Sequence, residues 1–470
     1  MKSSTGWLVV LLLAVGCGSP DSGKVSQLPT DGAPEAVNQS LPASPIVGTL
    51  QLPEANDSLT GEIERLSRAA YAAQAAGEFG QEAGHWEEAH RLLQEQFGLQ
   101  SWQATNATLA VQTARRHAAL DGRQRSQLSE LMEWQNRIAE LLQRGNPQAA
   151  LTMALGSIER TLELYGENSY MHGKQLVQIG RLEQLAGRFD EAIETYRQAF
   201  ATISPWLGRV HPELEAIHAH LGETWLAKGD QRQAVENLRV ALRMAGELYG
   251  ANSLHVATRA NDLAVALQRC GTPQDALPYL VKAVEIRRSW LGPEHPHVAH
   301  CMLNIGTCYI DLQQYEAAVQ HLENALTILT NTVQGPNRLV VDCLHKLSVS
   351  WMLLDKPDRA EVYLQQLVVL LRQTDVSNVE LGLAEYRWGV SLAKQGKYSD
   401  AEPLLKLSLA RLENVLGIHH PQVTKPREAL SQLYIATDRA ADAQALQSRV
   451  QPVSYETDEP RFVRDPHLQR

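Results

Sequence analysis

The chain has 470 residues, 20% of them charged, with 43 lysines and arginines against 53 acids and a net charge of −10. An acidic balance with no basic stripe excludes nucleic acid as the expected partner. The length is enough for one large core or for many small ones in series.

The N-terminus begins with Lys2 and an apolar run from Trp7 to Val15. That run is too short to span a bilayer, which takes about 20 residues, and it has the pattern of a secretory signal. It closes on Ala14-Val15-Gly16-Cys17, which resembles the bacterial lipoprotein box of small residues ahead of a cysteine. The resemblance implies a signal peptide over 1–16, cleavage before Cys17 and lipid on that cysteine. Ala14 departs from the leucine commonest at its place. An ordinary cleaved signal with an incidental cysteine, and an uncleaved signal anchor, are the competing readings. Several acyl chains hold a protein on a membrane where one does not. Cleavage would remove Lys2 and leave 42 basic against 53 acidic residues, or −11. Gly18-Ser19 follows the cysteine in place of aspartate, which by the sorting pattern of enteric bacteria implies the outer membrane. The expected location is thus the bacterial cell envelope, with the body in the periplasm or at the cell surface. Membrane contact is expected through the anchor alone.

Residues 17–58 carry six prolines and many Ser, Gly and Asp, the composition of a disordered linker. Such a linker reaches about 35 Å on average and about 130 Å when stretched. Residues 59–125 are expected to form an irregular helical cap. Within it, 83–98 has the look of a second helix with its junction, and 101–120 that of a first helix. Residues 451–470 are expected to be a disordered tail.

Between these ends the sequence repeats. Small residues recur as Gly180, Ala192 and Ala199; Gly222, Ala234 and Ala241; Ala264, Ala276 and Ala283; and Gly306, Ala318 and Ala325. The series goes on through Ser348, Ala360 and Leu367, then Gly389, Ala401 and Ser408, then Ser431, Ala443 and Val450. The spacing is 42 residues, once 41. One step upstream, at Ile138, the pattern weakens but keeps Ala150 and Ser157. Each period holds two stretches with apolar residues at i, i+3, i+4 and i+7, the spacing of a helix face. The small residues sit where two such helices must approach closely. No single pair can bury its apolar face, so about eight pairs over 126–450 are expected to stack as a solenoid.

The pattern resembles the tetratricopeptide repeat, in which a large residue precedes Leu-Gly and is followed by Tyr, Ala, Phe and Ala. Ile305, Gly306, Tyr309, Ala318, Leu322 and Ala325 fill those places here, as do Leu221, Gly222, Trp225, Ala234, Leu238 and Ala241. The long period is similar to that of kinesin light chains, with a G-x-x-H-P junction at Gly208–Pro212, Gly292–Pro296 and Gly417–Pro421. Degenerate forms stand at Gly166, Gly250 and Gly335. The resemblance implies an all-α, right-handed superhelical solenoid of antiparallel helix pairs.

The densest cluster of chemistry-bearing residues is His295, His297, His300, Cys301, Cys308 and His321. The junction accounts for His295. Its glycine is expected to end one helix in a left-handed turn, and its proline to open the next. The histidine is expected to tie the loop by side-chain hydrogen bonds. Cys301 and Cys308 are two turns, about 10.5 Å, apart along one helix. Zn–S bonds of about 2.3 Å cannot bridge that gap, so no metal is expected. Cys270, Cys301, Cys308 and Cys343 read as small packing residues. A Cys301–Cys343 disulfide is conceivable, but helices 8–10 Å apart rarely offer bonding geometry. The sequence has no G-x-x-x-x-G-K-S/T, H-E-x-x-H or G-x-S-x-G, and neither catalytic residues nor a cofactor are expected. Asp190, Glu191 and Asp358 open second helices, where their charge suits the helix dipole.

The family's register implies a groove lined by first helices. The residues it would expose are Lys174, Arg181, Gln184, Glu223, Asn261, Gln268, Arg269, His300, Thr307, Asp311, Asp342, His345, Tyr386 and Lys394. The expected function is a non-enzymatic scaffold that holds a protein or peptide segment there, with no small-molecule substrate. A structural subunit of an envelope or secretion complex, using lateral surfaces, is the second reading. An enzyme with its site within 62–145 is the third. Function by fold analogy is weak.

Overall fold

The computed structural model describes residues 57–333, 335, 337–373 and 378–448. Cys17, the linker and the tail lie outside them. The described residues form helices α1 (Asp57–Ala75), α2 (Phe79–Phe97), α3 (Trp102–Ala118), α4 (Gly122–Gln143), α5 (Pro147–Gly156), α6 (Ile158–Tyr165) and α7 (Tyr170–Leu185). Next come α8 (Phe189–Leu207), α9 (Pro212–Lys228), α10 (Gln231–Tyr249), α11 (Leu254–Arg269), α12 (Pro273–Leu291) and α13 (Pro296–Asp311). The last are α14 (Tyr315–Thr332), α15 (Arg338–Leu353), α16 (Pro357–Gln373), α17 (Asn378–Lys394), α18 (Tyr398–Leu416), α19 (Pro421–Ala436) and α20 (Ala440–Ser448). The architecture is an α-solenoid of consecutively packed helix pairs. Among the described residues, no helix is long and apolar enough to cross a membrane. The array expected as one block divides inside α12, between Ile286 and Arg287, into two compact bodies.

The close approaches read from the sequence are present. A Cβ placed on Gly222, Gly306 or Gly389 would lie 2.5, 2.6 or 2.7 Å from the Cγ of Leu238, Leu322 or Leu405. Those are leucines of the paired second helix, so each glycine is an absent side chain that lets the partner in. Ala192, Ala234, Ala318 and Ala401 are fully buried across the same seam.

A second register appears in the backbone. Positive φ recurs at Gly145, Gly187, Gly229, Gly271, Gln313, Asp355, Gly396 and Asp438. These are the turns between first and second helices, and three of them carry a side chain in a conformation that disfavours one.

The junction histidines cap helices as expected. His211, His295 and His420 each accept, at Nδ1, the backbone N–H of the residue two further on, at 3.1–3.2 Å. Proline follows each as the first helical residue. The expected left-handed turn at the junction glycine is corrected. Gly166, Gly208, Gly250 and Gly417 combine positive φ with ψ of 161°, −164°, 154° and 155°, a region open essentially to glycine alone.

The weak register around Ile138 has a cause. Its second helix breaks at Ser157, whose hydroxyl donates back to Ala154 O at 2.7 Å and accepts from Gln175 Nε2 at 2.7 Å. A serine bonding its own backbone competes with helix continuation. In the cap, α3 does not extend the stack but runs across it. Near its start Trp102 stacks edge-on against His211, and Asn106 Oδ1 lies 3.1 Å from His211 Nε2. Midway, Leu109 joins the core of Leu176, Ile203 and Met244. Near its end His117 Nε2 lies 2.6 Å from the Tyr165 hydroxyl. One helix of about 25 Å thus touches three successive repeats of the N-terminal body.

Candidate protein-binding surface

In the N-terminal body, the polar side chains of the first helices α7, α9 and α11 are tied to one another. Tyr170 donates to Glu213 at 2.6 Å, and Lys174 Nζ lies 3.6 Å from the same carboxylate and over the Tyr170 ring. Burial and the Glu213 charge push the Tyr170 phenol far up. Arg259 reaches back to Glu215 at 2.5 Å and also meets Asp262 and Glu223. Burial works against the Arg259 charge, and the carboxylates of Glu215, Asp262 and Glu223 outweigh it. Burial likewise opposes the Glu223 charge, but His220, Arg259 and Gln184 together hold its carboxyl below the usual range.

In the C-terminal body, Arg338 joins Asp342 at 3.3 Å and Glu380 at 2.8 Å, linking α15 to α17. Glu385 is fully buried and held by Arg372 and Arg411, each at 3.1 Å. His345 is pushed down to about 3 by burial and by Arg387, Lys346 and Arg338. His300 is pushed to about 4 by burial, Arg287 and His297. Both rings are neutral near pH 7.

The expected groove residues fall into three sets. Lys174, Gln184, Glu223, His300, Thr307, Asp342, His345 and Tyr386 are half-buried, and several are already engaged. Gln184 accepts from Tyr196, and Thr307 bonds back to Leu303 of its own helix. Arg269, Asp311 and Lys394 are exposed, with Lys394 3.5 Å from Asp355, and Arg181 and Gln268 are half-buried. Asn261 is corrected: it is only 5% exposed and belongs to the interior of α11. Cys270 is corrected too. It stands just past the end of α11 and is exposed, whereas Cys301, Cys308 and Cys343 are buried, and none of the four is in a disulfide. Among the described residues no three His, Cys, Asp or Glu side chains are placed to hold a metal ion. Sequence reading missed the Arg259 cluster, Lys346 and Arg387. Their signal was present, because Arg259 lies one repeat and two residues beyond Glu215, within reach once the register is known.

The tetratricopeptide-repeat profile matches residues 174–247, 255–331 and 389–422. These stretches are tetratricopeptide repeats. Kinesin light chain-related protein 1 of Arabidopsis thaliana is 25% identical over 154 residues, 33% of this chain and 25% of that one. The human clustered mitochondria protein homolog is 25% identical over 178 residues, 38% of this chain and 13% of that one. The chain therefore spans a quarter or less of the length of these two relatives. Among solved structures, the apo form of the quorum sensor NprR from B. thuringiensis superposes with a TM-score of 0.50 at 11% identity, covering 84% of this chain and 97% of that one. That likeness concerns the fold alone. The tetratricopeptide repeats straddle both bodies, and the junctions and seams described above are their recurring parts.

Proposed function

We propose that the chain is a non-catalytic scaffold, held on a bacterial membrane by lipid at Cys17, that binds a segment of another protein along its first-helix faces. The observation that carries this reading is the concentration of half-buried polar and charged side chains on α7, α9, α11, α15 and α17, placed where neighbouring repeats present them together. Apolar seams alone would hold the solenoid. Buried polar clusters cost desolvation and specify what may approach. A tethered body on a long linker samples a wide zone beside the membrane, which raises the local concentration of partners there.

The test is capture from detergent-solubilised envelope by the full chain and by a variant with Lys174, Arg181 and Gln268 changed to alanine. A protein held by the parent and lost by the variant supports groove binding. Equal capture moves the interface elsewhere. Incorporation of labelled palmitate, abolished by Cys17→Ser, tests the anchor. A structural role through lateral surfaces is favoured by one observation: Val362 and Val369, two turns apart on α16, are 50% and 54% exposed.

A further inference from the structure

In the N-terminal body a niche of about 360 Å³ opens between the second helices α8 and α10, against the first helix α9. Phe200 and Trp225 give it rings, His218, Gln233 and Asn237 give it polar groups, and Arg197 gives it a charge. The repeat register shows what this niche lacks. The place of Asn237 on its second helix holds Tyr279, His321 and Tyr363 in the next three repeats. Two of those rings are met by the chain itself. His321 stacks on Tyr309 with centroids 5.4 Å apart, and Tyr363 donates to Glu323 at 2.7 Å. Tyr309 is the repeat equivalent of Trp225, and Glu323 that of Arg197. We propose that the niche binds a small aromatic carboxylate, whose ring fills the place left by Asn237 and whose anion meets Arg197.

Two departures from the register carry the assignment. The first is size. Asparagine brings no ring, so the half-buried Trp225 indole lacks the neighbour that Tyr309 has in His321. A flat ring entering from solvent restores that contact and covers apolar surface. The second is charge. Where Glu323 accepts from a phenol, Arg197 offers N–H donors, so the complementary end of the occupant is an anion. Arg197 is exposed, its guanidinium carbon lies 5.6 Å from the Trp225 centroid, and it makes no ion pair with any described residue. A guanidinium can take a planar carboxylate through two parallel N–H bonds.

The remaining polar groups are ordered among themselves. Asn237 Nδ2 donates to the Gln233 carbonyl at 2.9 Å, which leaves Asn237 Oδ1 to accept from His218 Nδ1 at 3.2 Å. His218 thus carries its proton on Nδ1. Burial, opposed by that bond to Asn237, holds its titration below the usual range, so the ring is neutral near pH 7. Arg197 is then the charge that selects the ligand. The volume is at the small end of the range that holds organic ligands, enough for one ring and a short acid arm.

The test is a saturation-transfer NMR titration of 4-hydroxyphenylacetate with the full chain and its N237Y and R197Q variants. Tyramine, with an ammonium in place of the carboxylate, and cyclohexylacetate, with no aromatic ring, are the controls. The assignment expects 4-hydroxyphenylacetate to bind with a Kd of about 1 mM or tighter, as suits a ligand of its size, and each control to bind about tenfold more weakly or worse. N237Y supplies the missing ring from within, so it should abolish binding and melt no lower than the parent. R197Q should weaken binding about tenfold at an unchanged melting point, because Arg197 is exposed. Absence of saturable binding overturns the inference, as does equal affinity for tyramine or retained binding by N237Y. Should N237Y melt lower, R197Q decides, and an unchanged affinity there overturns the site. An acidic tripeptide with a central tyrosine that binds more tightly than the free acid would make the occupant a protein side chain and overturn the assignment to a small molecule.

Discussion

The guanidinium of Arg287 donates from Nη1 to the sulfur of Cys301 at 3.0 Å, and from the same nitrogen to the backbone carbonyl of His297 at 3.1 Å. Arg287 is 6% exposed, and no carboxylate among the described residues lies within ion-pair distance of it. The His–Cys cluster, read in the sequence as a junction cap and packing residues, is thus organised around a cation. A positive centre excludes a second one. His297 is pushed to about 4 by burial, Arg287 and His295, and His300 to about 4 by burial, Arg287 and His297. Arg287→Gln should therefore raise both titrations while leaving them below 6.5, because burial, the larger cause, remains. Imidazole resonances followed by NMR across pH 3–7 would show it, and unchanged midpoints would remove Arg287 as the cause.

Stability should fall as the solution is acidified from about pH 6.5 to pH 4. His211, His297 and His300 are held near 4 and His345 near 3, each led by burial, against 6.5 in the unfolded chain. Between those limits the unfolded state binds more protons than the folded one, so unfolding is favoured as pH drops. Above 6.5 these histidines contribute no slope. Each contributes at most about 1.4 kcal/mol per pH unit inside the window. Urea midpoints measured at pH 7, 6, 5 and 4 should decline steadily, and a flat profile between 6.5 and 5 would mean that the rings are wet.

Gly306→Leu should destabilise the C-terminal body. The Cβ alone would stand 2.6 Å from Leu322 Cγ and 3.4 Å from the carbonyl of Ala318, so the helices must part. Overpacking of this kind typically costs about 1–3 kcal/mol. Gly306→Ala combined with Leu322→Ala should cost less than the sum of the two single changes, because the clash is with that leucine. Thermal melts of Gly306→Ala, Leu322→Ala and the double variant would decide it, and additive losses would show that the two residues are uncoupled.

The seams were legible because each repeat solves the same local problem, and Gly306, Leu322 and Ala325 announce it by spacing. The course of α3 was not. Gly98 and Ser101 carry the same signals as Gly166 and Ser169, so the segment reads as another first helix. What turns it across the stack is its contact with His211, 105 residues from Asn106, and local periodicity carries no record of that. Asn261 and Cys270 were misplaced for a smaller reason: a shift of one residue at the rim of a helix exchanges inside for outside. The pairing of charges on the first-helix faces needed distances between side chains on different repeats, which spacing alone does not supply.

Gln313→Gly should stabilise the protein. Gln313 has φ of 60° at a place where Gly187, Gly229, Gly271 and Gly396 stand in other repeats. Its backbone N–H donates to Ile310 O at 2.9 Å, a bond that glycine keeps. The left-handed conformation costs a residue with a Cβ about 1–2 kcal/mol. Glycine removes that strain but adds freedom to the unfolded chain, worth about 0.4–1 kcal/mol. The net gain should be about 0.5 kcal/mol, seen as a higher urea midpoint at unchanged slope. Asp355→Gly offers a contrast. Asp355 has φ of 53° but also lies 3.5 Å from Lys394 Nζ, and an exposed pair of this kind is worth at most about 1 kcal/mol. Its gain should be smaller than that of Gln313→Gly, and the reverse order would mean that the turn strain is not what limits these positions.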